Sequence, residues 1–239
     1  MANSIGSSCD ASLIRNRNIF SVLTNDAVTT LEKMGRNKIL GAQDLIFRQG
    51  DDATQYFSVT SGVIKLVKTL ANGNQIIVGL PDAPSFVGHG RGKCHTYSGE
   101  AVTDAELCCY PRGPFDAFLK THPEVARKIL EMTLRELDSC RDWNFLLRRQ
   151  CSYERVAGFL LMIATRIPNI NDGEADGDGA HFQLPLTRAE IADFLGLTLE
   201  TVSRQFSRLK DAQIISLRSS REVIITNVQH LSQPKSPPP

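Results

Sequence analysis

Residues 187–210 read TRAEIADFLGLTLETVSRQFSRLK, and the local chemistry of this stretch predicts two short helices around a tight turn. Thr187 followed by Glu190 is a capping box, a hydroxyl and a carboxylate that satisfy the free backbone N–H groups opening a helix. Ile191, Phe194 and Leu195 then supply an apolar stripe at helical spacing. The pattern breaks at Gly196-Leu197-Thr198, where glycine permits the positive φ of a helix end and Thr198 caps the second helix. In that second helix Leu199, Val202, Phe206 and Leu209 fall three and four apart, on a face expected to bury. Glu200, Ser203 and Arg204 project together from the opposite face, at i, i+3 and i+4. An Arg guanidinium takes guanine O6 and N7 in bidentate fashion, a Glu accepts from cytosine N4, and a Ser hydroxyl is permissive, so this face suits the major groove. The plain alternative is a solvated face closed by an intrahelical Glu200–Arg204 pair.

The surroundings decide between the two. HFQLPL (181–186) precedes the helices as a strand-like run, and IISLRSSREVIIT (214–226) comes after them as two apolar runs around a Ser-Ser turn. That pair reads as a hairpin wing with Arg218 and Arg221 near its tip. With these elements in place, the chain resembles the winged helix-turn-helix regulators of the CRP/FNR family of bacterial transcription regulators over nearly its whole length. In the branch that includes FNR and FixK the recognition helix carries Glu, Ser and Arg at this spacing, here Glu200, Ser203 and Arg204. The resemblance implies an α+β fold: an N-terminal double-stranded β-helix of the cyclic-nucleotide-binding type, a long dimerisation helix and a C-terminal winged helix-turn-helix. It implies a homodimer on double-stranded DNA with a TTGAT-N4-ATCAA type palindrome, contact with RNA polymerase, and activation of microaerobic respiration and nitrogen fixation genes. By location, Thr187, Arg188, Thr198, Gln205, Arg208 and Arg218 are candidates for phosphate contacts that set register without reading sequence.

Net charge neither supports nor excludes a nucleic-acid partner, because 27 Lys and Arg stand against 26 Asp and Glu; any attraction to DNA must be local. The six cysteines form no disulfide framework, and no apolar run approaches a membrane span. With no signal peptide recognised, the expected compartment is the reducing cytoplasm. No nucleophile–base pairing, P-loop or zincin pattern stands out, so an enzyme is not expected.

Residues 1–18 are Ser/Asn-rich and expected to lack order. Their one cysteine, Cys9, matters because regulators resembling FNR hold an iron–sulfur cluster with several N-terminal cysteines plus one in the sensory domain. A four-thiolate cluster cannot be built on a single N-terminal thiol, and the departure favours the FixK-type branch. Residues 19–120 form the expected β-roll: short β-rich runs separated by turns, with Gly50-Asp51 and Gly62 at turn positions of the family and Asn72-Gly73 suited to a type I′ hairpin. Where the family pattern places Gly-Glu and Arg-Ser for the ribose and cyclic phosphate, this chain has Gly88-His89 and no Arg-Ser near Thr96–Ser98. Arg91 and Lys93 are basic but out of register, and a buried cyclic phosphate needs paired cations or donors; no cyclic AMP response and no cofactor are expected. Cys94-His95 and Cys108-Cys109 offer soft donors, yet adjacent strand residues face opposite ways. They read as packed thiols, with metal or redox sensing, or a small molecule bound in the β-roll, as the alternative; no metal site is assigned.

Residues 121–151 turn helical, and Leu130, Thr133, Leu137, Cys140, Asn144 and Leu147 keep the four-three spacing of a two-stranded coiled coil, flanked by Ala126 and Cys151. An ordinary long helix packed on its own β-domain is the competing reading. In the segment 152–230 Ser152 is expected to cap a helix carrying Val156, Phe159, Leu160 and Ile163, with Pro168 stopping it. NINDGEADGDGA (169–180) faintly resembles a calcium loop but lacks the Glu that closes one, Gln183 standing there, so a solvated loop is expected. The proline-rich tail 231–239 is expected to be disordered.

Overall fold

The computed structural model describes residues 5–9, 23–88, 92–149, 151–166, 180–228 and 231. The chain divides into two compact units, Met1–Ser139 and Cys140–Pro239. The boundary falls inside the long helix.

Among the described residues, nine strands build the first unit: β1 (Ile5–Ser8), β2 (Arg36–Leu40), β3 (Leu45–Phe47), β4 (Gln55–Ser61), β5 (Ile64–Thr69), β6 (Gln75–Gly79), β7 (Ser85–Val87), β8 (Ser98–Ala101) and β9 (Ala105–Pro111). They form two antiparallel sheets, ordered β1-β2-β9-β4-β7 and β3-β8-β5-β6. One core lies between the sheets, with Leu40, Val59, Leu107 and Cys109 meeting Phe47, Ile64, Leu66 and Ala101. A second core lies on the other face of the first sheet, under helices α1 (Asn25–Met34) and α2 (Arg112–Thr121) and the start of α3 (Pro123–Leu147). Its centre is an aromatic stack in which Phe115 lies 5.6 Å from Phe86 and 5.0 Å from Tyr110. Each such fully buried ring contributes about 1.5–3 kcal/mol. The alternation expected at Cys108-Cys109 holds, with Cys108 in this second core and Cys109 in the first.

Two expectations for this unit are corrected. Part of the segment expected to lack order is β1, which pairs with β2 through Ile5↔Lys38 and Ser8↔Arg36. The β5–β6 connection is not a two-residue type I′ turn: Gly73 N donates to Leu70 O at 2.9 Å and Leu70 N to Asn74 O at 2.8 Å. Within it Gly73 alone takes a positive φ, 84°, as in a longer hairpin loop that ends in a glycine bulge.

In the second unit α4 (Ser152–Arg166) buries Val156, Phe159, Leu160 and Ile163 as the spacing predicts. Beyond it come β10 (Ala180–Gln183), α5 (Arg188–Leu195), α6 (Leu199–Asp211), β11 (Ile215–Leu217) and β12 (Glu222–Ile225). The strands form a small sheet, β10-β12-β11, so the wing hairpin is anchored by the strand preceding the helices. Trp143, on the last turns of α3, packs edge-on against Phe194 of α5 at 5.1 Å. Pro168, the acidic loop at 169–179 and the tail from 232 lie outside the described residues. Among the described residues no helix is long and apolar enough to cross a membrane.

Candidate nucleic-acid interface

The helix-turn-helix closes as its local chemistry requires. Thr187 N donates to Glu190 Oε2 at 2.8 Å and Glu190 N to Thr187 Oγ1 at 3.2 Å, a reciprocal cap on α5. Gly196 ends that helix in the left-handed conformation, φ 62°, where a side chain would be strained. Thr198 Oγ1 then accepts from Thr201 N at 3.2 Å and opens α6. Val202, Phe206 and Leu209 are buried, fixing which way the helix faces.

Glu200, Ser203 and Arg204 are exposed together on the first turns of α6. Among the described residues neither Glu200 nor Arg204 has an ion-pair partner, so the intrahelical pair is not formed. A hydrogen bond from its own backbone N–H, aided by the Thr198 hydroxyl, holds the Glu200 carboxyl below the usual carboxylate range. The helix start therefore presents an ionised acceptor beside a guanidinium donor, the complement of the cytosine amine and guanine acceptors that a C·G pair displays in the major groove.

The candidate phosphate contacts divide. Thr198, Arg208 and Arg218 are exposed, and Arg218, on the wing, makes only a loose 3.9 Å approach to Glu222. Gln205 is 2 % exposed and its Nε2 donates to Ser152 Oγ at 3.1 Å, so it ties α6 to α4 and cannot reach a phosphate. The same bond takes the Ser152 hydroxyl, and the first turn of α4 is closed instead by Arg155 N donating to Cys151 O. Arg188 lies over the Phe206 ring, its guanidinium carbon 3.0 Å from the centroid, and burial lowers its pKa to about 10; it packs the two helices together. The Thr187 hydroxyl donates to Glu190 Oε2 at 2.8 Å while accepting in the capping box, so its hydrogen-bonding capacity serves the cap.

Leu199 departs from the stripe to which its spacing assigned it. It begins α6, one turn ahead of the buried residues, and is 46 % exposed beside Glu200. An apolar side chain there suits a thymine methyl. Its position at the first helical residue, beyond the reach of the core, was the available signal.

On α3 the coiled-coil positions lie open: Leu130 is 57 % and Leu137 45 % exposed, with Leu134 beside them. Cys140, Asn144 and Leu147 are exposed as well. Thr133 is half-buried and bonds its own helix, Oγ1 to Ile129 O at 2.9 Å.

In the β-roll Gly88 has φ 81°, and a Cβ there would stand 2.7 Å from Phe57, so packing alone requires glycine. His89 and Arg91 lie outside the described residues; Lys93 is exposed. Ser98 Oγ accepts from Gln49 N at 2.9 Å. His95 is buried and stacked on Phe47 at 4.1 Å, its pKa lowered by burial. Among the described residues no group of three or more His, Cys, Asp or Glu is placed to hold a metal.

A β-roll, a long helix with open apolar positions, and a capped helix-turn-helix with a wing together define a transcription regulator of the winged-helix type. Residues 37–122 match the cyclic nucleotide-binding domain and residues 154–233 the Crp-like helix-turn-helix domain. The chain is 38 % identical over 223 residues to the transcriptional activator protein FnrL of Cereibacter sphaeroides, covering 93 % of this chain and 90 % of that one. It is 33 % identical to the nitrogen fixation regulation protein FixK of Bradyrhizobium diazoefficiens, over 86 % of this chain and 84 % of the other. The solved structure of FixK2 from Bradyrhizobium japonicum superposes with a TM-score of 0.73 at 28 % identity, over 86 % of this chain and 99 % of that one. The chain belongs to the CRP/FNR family, a family of transcription regulators and not of enzymes.

Proposed function

We propose that the protein is a cytoplasmic transcription activator that binds a TTGAT-N4-ATCAA type palindrome as a homodimer and contacts RNA polymerase. The reading rests on one observation above all: Glu200, Ser203 and Arg204 stand exposed on the opening turns of a capped helix, with the ionic pair between them unmade. Arg204 takes guanine O6 and N7, Glu200 the cytosine amine, Ser203 an adjacent base and Leu199 a thymine methyl. Thr198, Arg208 and Arg218 contact phosphates. Two copies joined along Leu130, Leu134, Leu137, Asn144 and Leu147 present two such helices to half-sites about one helical turn apart. The branch of the family is FixK-type, with targets in microaerobic respiration and nitrogen fixation; a single cysteine in the first 18 residues supports it over a cluster-bearing oxygen sensor.

The test is selection of bound duplexes from random DNA at one stated salt concentration, because affinity alone is largely a backbone term. Enrichment of a two-fold TTGAT-type site is the expected result. Enrichment of a different half-site, or of none, overturns the proposal. The β-roll of this regulator does not respond to cyclic AMP, lacking the Arg-Ser pair for the phosphate, and isothermal titration is expected to show no saturable heat at micromolar nucleotide.

A further inference from the structure

The last turns of α3 have two faces. Asn144, Phe145 and Leu147 are exposed, while Trp143 and Leu146 are buried within their own chain. Trp143 meets Phe194 of α5 edge-on at 5.1 Å, and Phe194 in turn meets Phe159 of α4 at 5.7 Å. Leu146 lies so close to α4 that a Cβ on Gly158 would stand 2.4 Å from its Cδ1. Glycine inside a helix is unfavourable, and the approach of α3 is what requires it here.

One guanidinium joins the three helices. Arg155, half-buried on the first turn of α4, donates from Nε to Arg149 O at 2.9 Å, just past the end of α3, and from Nη1 to Leu195 O at 3.4 Å, on the last residue of α5. Both carbonyls fall at helix ends, where the regular backbone ladder supplies no donor. Leu195 immediately precedes Gly196, and the turn that starts there leads through Thr198 into the reading helix α6. The planar fork makes both bonds from one rigid group, so the outer face at the end of α3 and the start of α6 are held in one relation.

We infer that Arg155 is a positioning residue that sets the half-site separation the dimer accepts, an inference that rests on the reading of the protein as a homodimer on a two-fold site. Arg155 touches no base and acts through the two backbones it ties. Asn144 and Leu147 meet the partner on the outer face of α3, Arg155 anchors that stretch to the turn, and the turn aims Glu200, Ser203 and Arg204. Each base pair added between half-sites moves the second by about 3.4 Å along the duplex and about 35° around it. A stiff arm rejects such a change, whereas a loose one absorbs it.

The test uses the full chain on duplexes whose TTGAT and ATCAA halves stand three, four or five base pairs apart, and on a duplex with one half-site, all at one salt concentration. The intact protein is expected to favour four by on the order of 100-fold, the avidity forfeited when both halves cannot be engaged together. Arg155→Ala is expected to shrink that preference roughly tenfold, because the arm is no longer preorganised for one separation, with binding to the single half-site unchanged. Arg155→Lys keeps the stem and the charge without the fork; it serves where the alanine variant folds poorly, and it is expected to shift the preference the same way by less. Val223→Ala truncates a buried residue of β12 in the same unit and should lower stability while keeping the preference. Folded Arg155 variants with the preference of the intact protein, or a Val223→Ala that loses it equally, would overturn the inference and leave the dimer reading standing. An intact protein indifferent to separation would take down both.

Discussion

The opening turns of α6 and the neighbourhood of His95 in the β-roll are both rich in polar groups, and they use them in opposite ways. On α6, Glu200, Ser203 and Arg204 face outward, and among the described residues neither charge has an ion-pair partner. In the β-roll the polar groups serve the fold: Ser98 holds the Gln49 backbone, His95 stacks on Phe47, and the Arg112 guanidinium donates to Ala53 O and Gly92 O. Polar groups left over after folding point to a partner, whereas polar groups satisfied internally point to architecture. By that measure the second unit is built to read something outside itself.

The severest challenge to this contrast is to separate two copies of the reading helix. Replacing Leu130 and Leu137 by Asp puts charge on positions proposed to pair, so sedimentation is expected to show monomer. Palindrome affinity should then drop on the order of 100-fold or more, because the second half-site is no longer bound at high effective concentration. A charged variant that stays dimeric would remove the seam. Next in size is Arg204→Ala, expected to cost roughly 1–3 kcal/mol per half-site and to relax the preference at one guanine. Fluorescence anisotropy on matched and mismatched duplexes would detect it. Unchanged affinity and selectivity would take the guanidinium out of the groove.

A finer comparison lies within α6 itself. Gln205→Ala breaks the bond to Ser152 and should lower unfolding stability by about 1 kcal/mol, leaving the salt dependence of DNA binding as it was. Arg208→Ala should do the reverse, with stability unchanged and the salt slope smaller by about one per protomer. The variants exchange roles if the helix faces the other way.

These two positions also mark how far the sequence could be read. Caps are local, so Thr187-Glu190 and Gly196-Thr198 announced both helices without tertiary information. Orientation is a matter of neighbours. Gln205 sits three residues after Val202 and four before Leu209, in the middle of the buried stripe, and its polar type disguised an inward position that Ser152 makes tolerable. Leu199 is the mirror case, apolar yet beyond the core's edge. β1 was illegible for a different reason: IGSS carries little strand preference, and its pairing is dictated by the open edge of β2.

The smallest effect concerns protons. Burial lowers the pKa of His95, with Arg112 acting the same way and Asp51 opposing, so the folded β-roll takes up a proton less readily than the unfolded chain. The unfolded state then binds more protons as pH falls through the ordinary histidine range, and stability declines there, having been fully present above it. Hydrogen-exchange protection in β3 and β8, after correction for the intrinsic pH dependence of amide exchange, is expected to fall between about pH 7.5 and about 5.5, by an amount worth at most about 1.4 kcal/mol per pH unit. His95→Gln should flatten that dependence. Trp143, the one tryptophan, belongs to the second unit and serves as the control, its fluorescence steady over the same window. Glu200, held below the usual carboxylate range, keeps its charge throughout, so mild acid should loosen the β-roll while leaving the reading helix chemically intact. If that corrected protection in β3 and β8 were indifferent to pH, or if His95→Gln kept the dependence, the buried imidazole would not be the group responsible.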